Sequence, residues 1–274
     1  MRTEQDYSWL ITNKSVTVSY EGISHTILRD EKNCDGLIAA IKNKEWDEIP
    51  KILSPETAVA NRSDGDMRVE SGQVWVKVPK GHRRDDGTEV DIEFAVPSGL
   101  NGTIIKYIDE GLPFRPLVKF AVKLSHNPSY RSVEQLFSFL EVNNFTITEE
   151  GNFVAYKSIR KDFRDVHSGK FDNSIGQTVK MPRDEVDDDP NRTCSRGLHV
   201  ANYHYAHNIY AGPVTVFVEV DPKDVVAVPI DYNNAKMRVC EYKVLGLSEG
   251  EIKDPIYNYV SDEDADGEFD YEDQ

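Results

Sequence analysis

Alternation of apolar and polar residues predicts strands in the first third of the chain. SVTVSY and HTILRD flank the turn at Glu21-Gly22, and residues 34–49 then carry apolar side chains at helical spacing before Pro50. Three further stretches, ETAVANR, MRVESGQVWVKVP and TEVDIEFAVP, alternate in the same way between residues 57 and 97. We therefore expect a β-rich N-terminal domain with mixed and antiparallel strands over residues 1–99.

The periodicity becomes helical over residues 100–145. Apolar residues recur at steps of three and four in three successive runs, which Gly111-Leu112-Pro113 and His126-Asn127-Pro128-Ser129 interrupt. This pattern predicts a module of three helices. The third helix starts either at a capping box formed by Ser132 and Gln135 or earlier, at Ser129.

The remainder of the chain predicts a C-terminal α+β domain over residues 146–250. Strands are expected at NFVAYKSI, PVTVFVEVD, DVVAVPI and MRVCEYKVLG, and a helix around Asn202 to Tyr210. The whole chain is therefore assigned to the α+β class. Residues 251–274 are expected to form an acidic tail, disordered in Ser261 to Gln274, where acidic residues are frequent and basic residues are absent.

Charge and cysteine content narrow the possible functions. A net charge of −16 over 274 residues argues against direct binding to nucleic acid, because neutralising phosphates requires a surplus of Lys and Arg. The three cysteines contain no CxxC pair, and no apolar run approaches the length of a membrane span. These features favour a cytoplasmic protein with reduced thiols. Loops of the Walker, dinucleotide-binding and nucleophile-elbow types are absent.

Residues 194–207 hold the densest group of chemically reactive side chains. Cysteine and histidine are preferred zinc ligands, and Cys194, His199, His204 and His207 are the residues that would form a metal site. Their spacing is not that of a usual zinc site, so we expect no metal and interpret them as packing and hydrogen-bonding residues. Cys194 with His199 as its base is a further alternative, although no orienting acid is identifiable.

The order of AYKSIR, GLHVANYHYA and CEYKV is similar to that of the ADP-ribosyltransferase fold. The resemblance implies that Tyr156 or Lys157 and then His199 contact nicotinamide, and that Glu241, or its rival Glu219, assists departure of the leaving group. The paired glutamate motif of that family is missing around Glu241, which favours a protein that is not an enzyme. We expect no cofactor, with NAD or another nucleotide as the alternative. The ligand-binding candidates are Lys157, Arg196, His199 and Tyr203.

Several longer phrases resemble the bacteriophage rIIB-like family. They include GLPFRPLVKF, NPSYRSVEQLFSFLE, ITEEGNFVAYKSIR, DVHSGKFDNSIGQ, MPRDEVDDDPNRTCSRGLHVA and VVAVPIDYNNAKMRVCEY, and they cover roughly residues 112–244. The resemblance implies a non-virion, early-infection role in lysis timing, host takeover or resistance to host and prophage defence. It also implies an rIIA-like partner near the inner membrane. The first 100 residues depart from the helix-turn-helix segment of the best-known members, so a DNA-reading role is not transferred.

Three hypotheses of function follow. The first is an interaction protein that binds an rIIA-like protein or a host defence protein in the host cytoplasm and reaches the membrane only through that partner. Its test sites are the basic loop Lys80 to Arg84, the surface from His199 to Tyr210 and the acidic tail. The second is a domain similar to ADP-ribosyltransferases that binds or turns over NAD or a nucleotide. The third is an acidic mimic of DNA that inhibits a host DNA-binding protein.

Overall fold

The computed structural model describes residues 2–29, 31, 33–62, 65–78, 92–192, 194–209, 212–228 and 235–252. These residues contain six α-helices and fourteen strands, and every strand pairing is antiparallel. The α+β class is therefore confirmed. The basic loop at 80–84 and the acidic segment 261–274 lie outside the described residues. The domain boundaries at 99, 145 and 250 stay predictions.

The N-terminal unit is a three-stranded sheet packed on short helices. Its strands are β1 (Tyr7–Ile11), β2 (Ser15–Tyr20) and β3 (Ile23–Leu28), in that spatial order, and α1 (Cys34–Asn43) and α2 (Ile49–Ile52) follow. Glu21 and Gly22 both have positive φ, at 52° and 81°, as the tight turn between β2 and β3 requires. The predicted strand-turn-strand-helix order is confirmed. β1 and the break between α1 and α2 were not predicted.

A second small sheet follows a helix that the alternation pattern missed. The elements are α3 (Pro55–Arg62), β4 (Met67–Glu70), β5 (Gln73–Val78) and β6 (Ile92–Ala95). The predicted strand at ETAVANR is wrong, because this segment forms α3. Ser54 begins the helix: the backbone N–H of Thr57 donates to its Oγ at 3.2 Å, and Pro55 has the restricted φ that suits a first helical residue.

The three predicted central helices are confirmed as α4 (Ser98–Asp109), α5 (Arg115–Ser125) and α6 (Tyr130–Val142). The cap of α6 decides between the two predicted starts. The backbone N–H of Ser132 donates to Ser129 Oγ at 3.2 Å, so Ser129 is the N-cap and the capping box beginning at Ser132 is wrong. Ser132 Oγ instead donates to the carbonyl of Val226 at 3.0 Å and ties α6 to the C-terminal sheet. None of these described helices is long and apolar enough to cross a membrane.

The C-terminal part is built on one eight-stranded sheet. Its strands are β7 (Thr146–Ile147), β8 (Phe153–Ile159), β9 (Thr178–Lys180), β10 (Leu198–Ala201), β11 (Val214–Val220), β12 (Val225–Ala227), β13 (Lys236–Val239) and β14 (Glu241–Leu247). The order is β12-β13-β10-β8-β11-β14-β9, and β7 pairs with the start of β8. The predicted strands at NFVAYKSI, PVTVFVEVD and DVVAVPI are confirmed as β8, β11 and β12. The single strand predicted at MRVCEYKVLG is wrong, because the segment breaks at Cys240 into β13 and β14. The predicted helix near residue 202 is a π-helix, Tyr205–Ile209.

One hydrophobic core joins the central helices to the eight-stranded sheet and to the small sheet of β4, β5 and β6, and the N-terminal unit has its own core. The turn into β8 requires glycine at position 151. Gly151 has φ +74°, and a Cβ there would lie 2.5 Å from the backbone nitrogen of Phe120 in α5. The start of β8 therefore packs directly against α5, and the helices cover one face of the sheet.

The chain connectivity forces the C-terminal sheet to curl. In the sheet order, β10, β8 and β11 separate β13 from β14, so a flat sheet would place them about 19 Å apart at ~4.8 Å per strand. Along the chain, only Cys240 separates them, and the two Cα–Cα steps from Val239 to Glu241 span about 7 Å at most. β13 and β14 must therefore approach each other across the concave face. β8 and β10, which pair only at Tyr156 and Ala201, diverge inside that curl.

Candidate ligand-binding site

A cavity of about 820 Å³ opens on the concave side of the curled sheet. Strands β8, β10, β13 and β14 line it, together with the loop 165–171 and the segment 180–185. Residues 194–197, just before β10, complete the wall. The volume falls in the range of small-molecule and cofactor sites, which is about 300–1,000 Å³.

Lys157 projects from β8 into this cavity. Its Nζ donates a hydrogen bond to the carbonyl of His199 at 2.8 Å and lies 5.2 Å from the centroid of the Tyr242 ring. Desolvation lowers the pKa of Lys157 to about 8, and the charge of Asp165 acts weakly in the opposite direction. An anion that enters the cavity would stabilise the Lys157 ammonium, because one carbonyl and one ring replace only part of its hydration.

Lys236 places a second ammonium group at the cavity. It begins β13, and only 4% of its surface is exposed. Its Nζ lies 5.3 Å from the centroid of the Tyr205 ring and 3.8 Å from Cys194 Sγ. Two lysines from different strands, Lys157 and Lys236, therefore line one space.

His199 contributes a neutral imidazole between the two lysines. Desolvation, and then the charges of Lys157 and Lys236, lower the pKa of His199 to about 3. The ring is therefore uncharged at physiological pH. Its Nε2 is buried and has no hydrogen-bond partner among the described residues, an arrangement that carries a free-energy cost unless a ligand or solvent satisfies it.

The cavity is cationic, although the chain as a whole is strongly acidic. Its lining includes two carboxylates, Asp165 and Glu185, and five cationic side chains: Lys157, Lys170, Lys180, Arg196 and Lys236. Burial opposes ionisation of Asp165, but hydrogen bonds from Phe171 and Ser168 outweigh it and lower the pKa of Asp165. Glu185 is engaged by Arg196. A surplus of positive charge therefore remains for an anionic ligand.

Arg238 supports the wall of the cavity from beneath. Its side chain is fully buried and donates to the carbonyls of Asp187 and Asp189, both at 2.6 Å, and to that of Arg192. These bonds fix the acidic loop 187–192, in which Asp187 also accepts from Ser195. That bond, with further donors from Asp189 and Arg192, lowers the pKa of Asp187 to about 2. The loop is a folded part of the site.

The structure brings together part of the set of residues that the sequence singled out. Tyr156, Lys157, Cys194, Arg196 and His199 all line the cavity. Glu241, Tyr203, His204 and His207 are not among its lining residues.

Glu241 is absent from the lining because neighbouring residues of a strand point to opposite faces. Tyr242 projects into the cavity, so Glu241 projects away from it and pairs with Lys180 at 2.9 Å. Tyr203 stacks on His207 with ring centroids 5.0 Å apart, and His204 contacts Asn208. Within the described part of the chain, no group of three or more His, Cys, Asp or Glu residues is placed to hold a metal ion.

Sequence reasoning missed Lys236, Tyr242, Asp165 and Tyr205. Lys236 carried a usable signal, because it precedes the apolar residues of a predicted strand, where an ammonium is costly to bury. The position of Asp165 depends on the loop after β8, which has no periodic pattern. Tyr205 and Tyr242 come from distant segments that meet only because the sheet curls.

Comparison with known proteins identifies relatives among phage proteins. Residues 94–255 match the family described as Bacteriophage T4 protein rIIB. The chain is 34% identical to protein rIIB of Enterobacteria phage T4 over 244 residues, which cover 88% of this chain and 73% of that protein. No solved structure matches the chain. The resemblance found in the sequence is confirmed, and the similarity to an ADP-ribosyltransferase stays a prediction.

Proposed function

This chain belongs to the rIIB family of bacteriophage proteins, and on that premise we propose that it acts during infection by binding a phosphate-bearing small molecule, such as a nucleotide. The observation that carries the proposal is that two lysines from different strands, Lys157 of β8 and Lys236 of β13, line one cavity. The Lys157 ammonium is desolvated there and donates to a backbone carbonyl, that of His199.

A phosphate group suits this pair for physical reasons. Its oxygens accept several hydrogen bonds at once, and its charge is worth more in a partly desolvated cavity than at the surface. Tyr242 and Tyr205 offer ring surface beside the two lysines, which suits a nucleobase or another planar group. His199 adds a neutral imidazole whose Nε2 is open to a ligand hydrogen bond.

Binding is a better proposal than turnover. The resemblance to ADP-ribosyltransferases assigned the carboxylate that assists departure of nicotinamide to Glu241, which pairs with Lys180 and is not among the residues that line the cavity. A protein that captures a host nucleotide without consuming it would alter the infected cell by sequestration or by sensing. Either effect is compatible with a role in host takeover, lysis timing or resistance to host and prophage defence.

Calorimetry on the purified full chain tests this proposal. The probes are ADP, NAD and inorganic pyrophosphate, and Lys157→Met and Lys236→Met are the variants. We expect at least one probe to bind and each variant to weaken it about tenfold, the loss of one charge-assisted contact of ~1.4 kcal/mol. Lys243→Met, on the exposed side of β14, is the matched control and should bind like the parent. The proposal fails if no probe binds, or if the three variants behave alike.

A second candidate, binding to a protein partner, is favoured by the edge of the N-terminal sheet. β1 pairs with β2 on one side, and no other described strand pairs with it. Trp9, Leu10 and Ile11 on this edge are 39%, 63% and 41% exposed. An exposed apolar edge strand is a site at which another chain can add a strand. An rIIA-like protein or a host defence protein would be the partner, and any membrane association would come through it.

Purified rIIA-like protein, mixed with the full chain, tests this second candidate. Leu10→Asp should weaken the complex at least about tenfold, because it places a charge in the middle of the proposed contact. Val142→Asp is the matched control, since Val142 is 75% exposed on α6, away from β1. Equal weakening by both substitutions, or no complex with the parent chain, would exclude the edge strand as the binding surface.

A further inference from the structure

The described part of the chain ends at the wall of the cationic cavity. The backbone N–H of Ile252 donates to the hydroxyl of Tyr156 at 2.8 Å, and Tyr156 lines the cavity. This contact joins residues 96 positions apart. The 22 residues that follow in the sequence, 253–274, are therefore tethered at Ile252, which contacts a residue of the cavity lining.

The charge of residues 253–274 is complementary to that of the cavity. Residues 253–274 contain nine Asp or Glu residues and a single Lys, whereas the cavity lining has five cationic side chains and two carboxylates. The segment also carries Tyr257, Tyr259, Phe269 and Tyr271 between its acidic residues. It thus presents anionic groups interleaved with aromatic rings, which are the two chemistries that the lysines and tyrosines of the cavity accept.

The length of the segment is sufficient. Asp254 is two residues beyond Ile252, and the denser acidic stretch begins ten residues beyond it, at Asp262. Ten residues reach up to about 35 Å when extended, so the acidic stretch can reach any part of an 820 Å³ cavity beside its starting point. A tethered group of this kind meets its site at an effective concentration on the order of millimolar.

We propose that the cavity binds the acidic C-terminal segment of its own chain, residues 253–274, which competes with the small ligand. The competition rests on the proposed function, whereas the contact between segment and cavity does not. A phosphate-bearing molecule must displace carboxylates from Lys157 and Lys236 before it binds. The cavity therefore binds the small ligand only at concentrations high enough to displace the tethered segment.

Carbodiimide cross-linking of the full chain, read by mass spectrometry, tests the contact without any added ligand. The reagent joins a lysine amine to a carboxylate that touches it, with loss of water. We expect cross-links from the segment to concentrate on Lys170, Lys180 and Lys236. Lys42 and Lys77 are the internal controls, because both are exposed and neither lines the cavity. Cross-links spread evenly over all these lysines, or none to the cavity, would overturn the proposal.

Competition is tested by calorimetry with ADP on two full-length variants of equal charge. One converts Asp262, Glu263, Asp264 and Asp266 to the corresponding amides. The other does the same to four exposed carboxylates elsewhere, Asp35, Glu56, Glu134 and Glu149. We expect ADP to bind the first variant about fivefold more tightly than the parent, because part of the local competitor is removed, and the second within about twofold of it. Equal affinities for both variants would overturn the competition.

The two experiments separate the two proposals. If ADP, NAD and pyrophosphate all fail to bind every variant while the cross-links still concentrate on the cavity lysines, the small-ligand function is wrong and the docking of the segment stands. If ADP binds, but the segment gives no preferred cross-links to the cavity lysines and the two amide variants bind ADP equally, the docking is wrong and the ligand function stands.

Discussion

The N-terminal sheet and the C-terminal sheet are both antiparallel, but they bury different kinds of side chain. The three-stranded sheet packs aromatic rings together: Tyr7 stacks on Trp46 at 5.4 Å, and its hydroxyl donates to the Trp46 carbonyl at 2.9 Å. The C-terminal sheet buries Lys236 and Arg238 to 4% and 0% exposure. Both sheets are stabilised by packing, but the C-terminal sheet also retains charged groups that are costly to bury.

The buried cations themselves differ in a way that separates structure from function. Arg238 has three backbone carbonyls as acceptors, so its charge is matched by the protein. Lys157 and Lys236 line the cavity, and each lies against an aromatic ring, that of Tyr242 and that of Tyr205 respectively. The difference teaches that a buried cation alone does not mark a site. A cation that lines a cavity does.

The largest expected effect comes from Arg238→Met. This change leaves three buried carbonyls without their donor, so it should lower the free energy of unfolding by roughly 3–5 kcal/mol and release the loop 187–192. Urea unfolding measures the stability, and hydrogen exchange at residues 187–192 measures the loop. Unchanged exchange in that loop would show that Arg238 does not hold it.

Trp46→Ala should cost a similar amount in the other sheet, roughly 3–5 kcal/mol, by opening a cavity beside Tyr7. The substitution distinguishes the two sheets, because the loss of packing should be confined to the N-terminal core. We expect cavity ligands and cross-links to Lys236 to be preserved in the folded fraction. Loss of both would mean that the two sheets fold as one unit.

Lys157→Met should raise stability at pH 7 by on the order of 1–2 kcal/mol, because it removes an ammonium that is costly to bury. The folded-state pKa is about 8, below the ordinary value of 10.5. Between these values the unfolded chain binds more protons, so the parent becomes more stable as pH rises from 8 to 10.5 and the gap to the variant narrows. Urea unfolding at several pH values measures this. Lys243→Met, at an exposed position of β14, is the control.

His199→Gln should have the smallest effect at neutral pH, and a larger one only in acid. The pKa of His199 falls to about 3 from an ordinary 6.5, so the unfolded chain takes up a proton first as pH drops. The parent therefore loses stability relative to the variant between pH 6.5 and 3, by on the order of 1 kcal/mol for each pH unit. Thermal unfolding across that range measures the gap. His126→Gln, at an exposed position, is the control, and an identical pH profile for both variants would contradict the assignment.

The fold was predictable wherever one buried face of a helix or strand determines the spacing of its apolar residues. The apolar spacing of α4 to α6 reports burial against one core, so the helices could be found without knowing their neighbours. α3 was mistaken for a strand because its short sequence also alternates. Ser54-Pro55 is a helix start signal in the sequence, and it predicts α3 correctly where the alternation does not.

The site was predictable only in part, because it is assembled across the curl of the sheet. Lys157 and His199 come from strands that pair at a neighbouring position, and a family resemblance led to both. Lys236 reaches the same cavity through the order of strands, which no local pattern encodes. Glu241 was misplaced although the alternation with Tyr242 was available in the sequence.

The single residue between β13 and β14 couples the motions of the two walls. Lys236 and Tyr242 belong to these strands, and Cys240 is the whole connection between them. A ligand that pushes β13 outward must also displace β14 and, through the ladder, β11 and β9. A shift of β13 on ligand binding would therefore extend to the far edge of the sheet, where Lys180 and Glu241 meet at the surface.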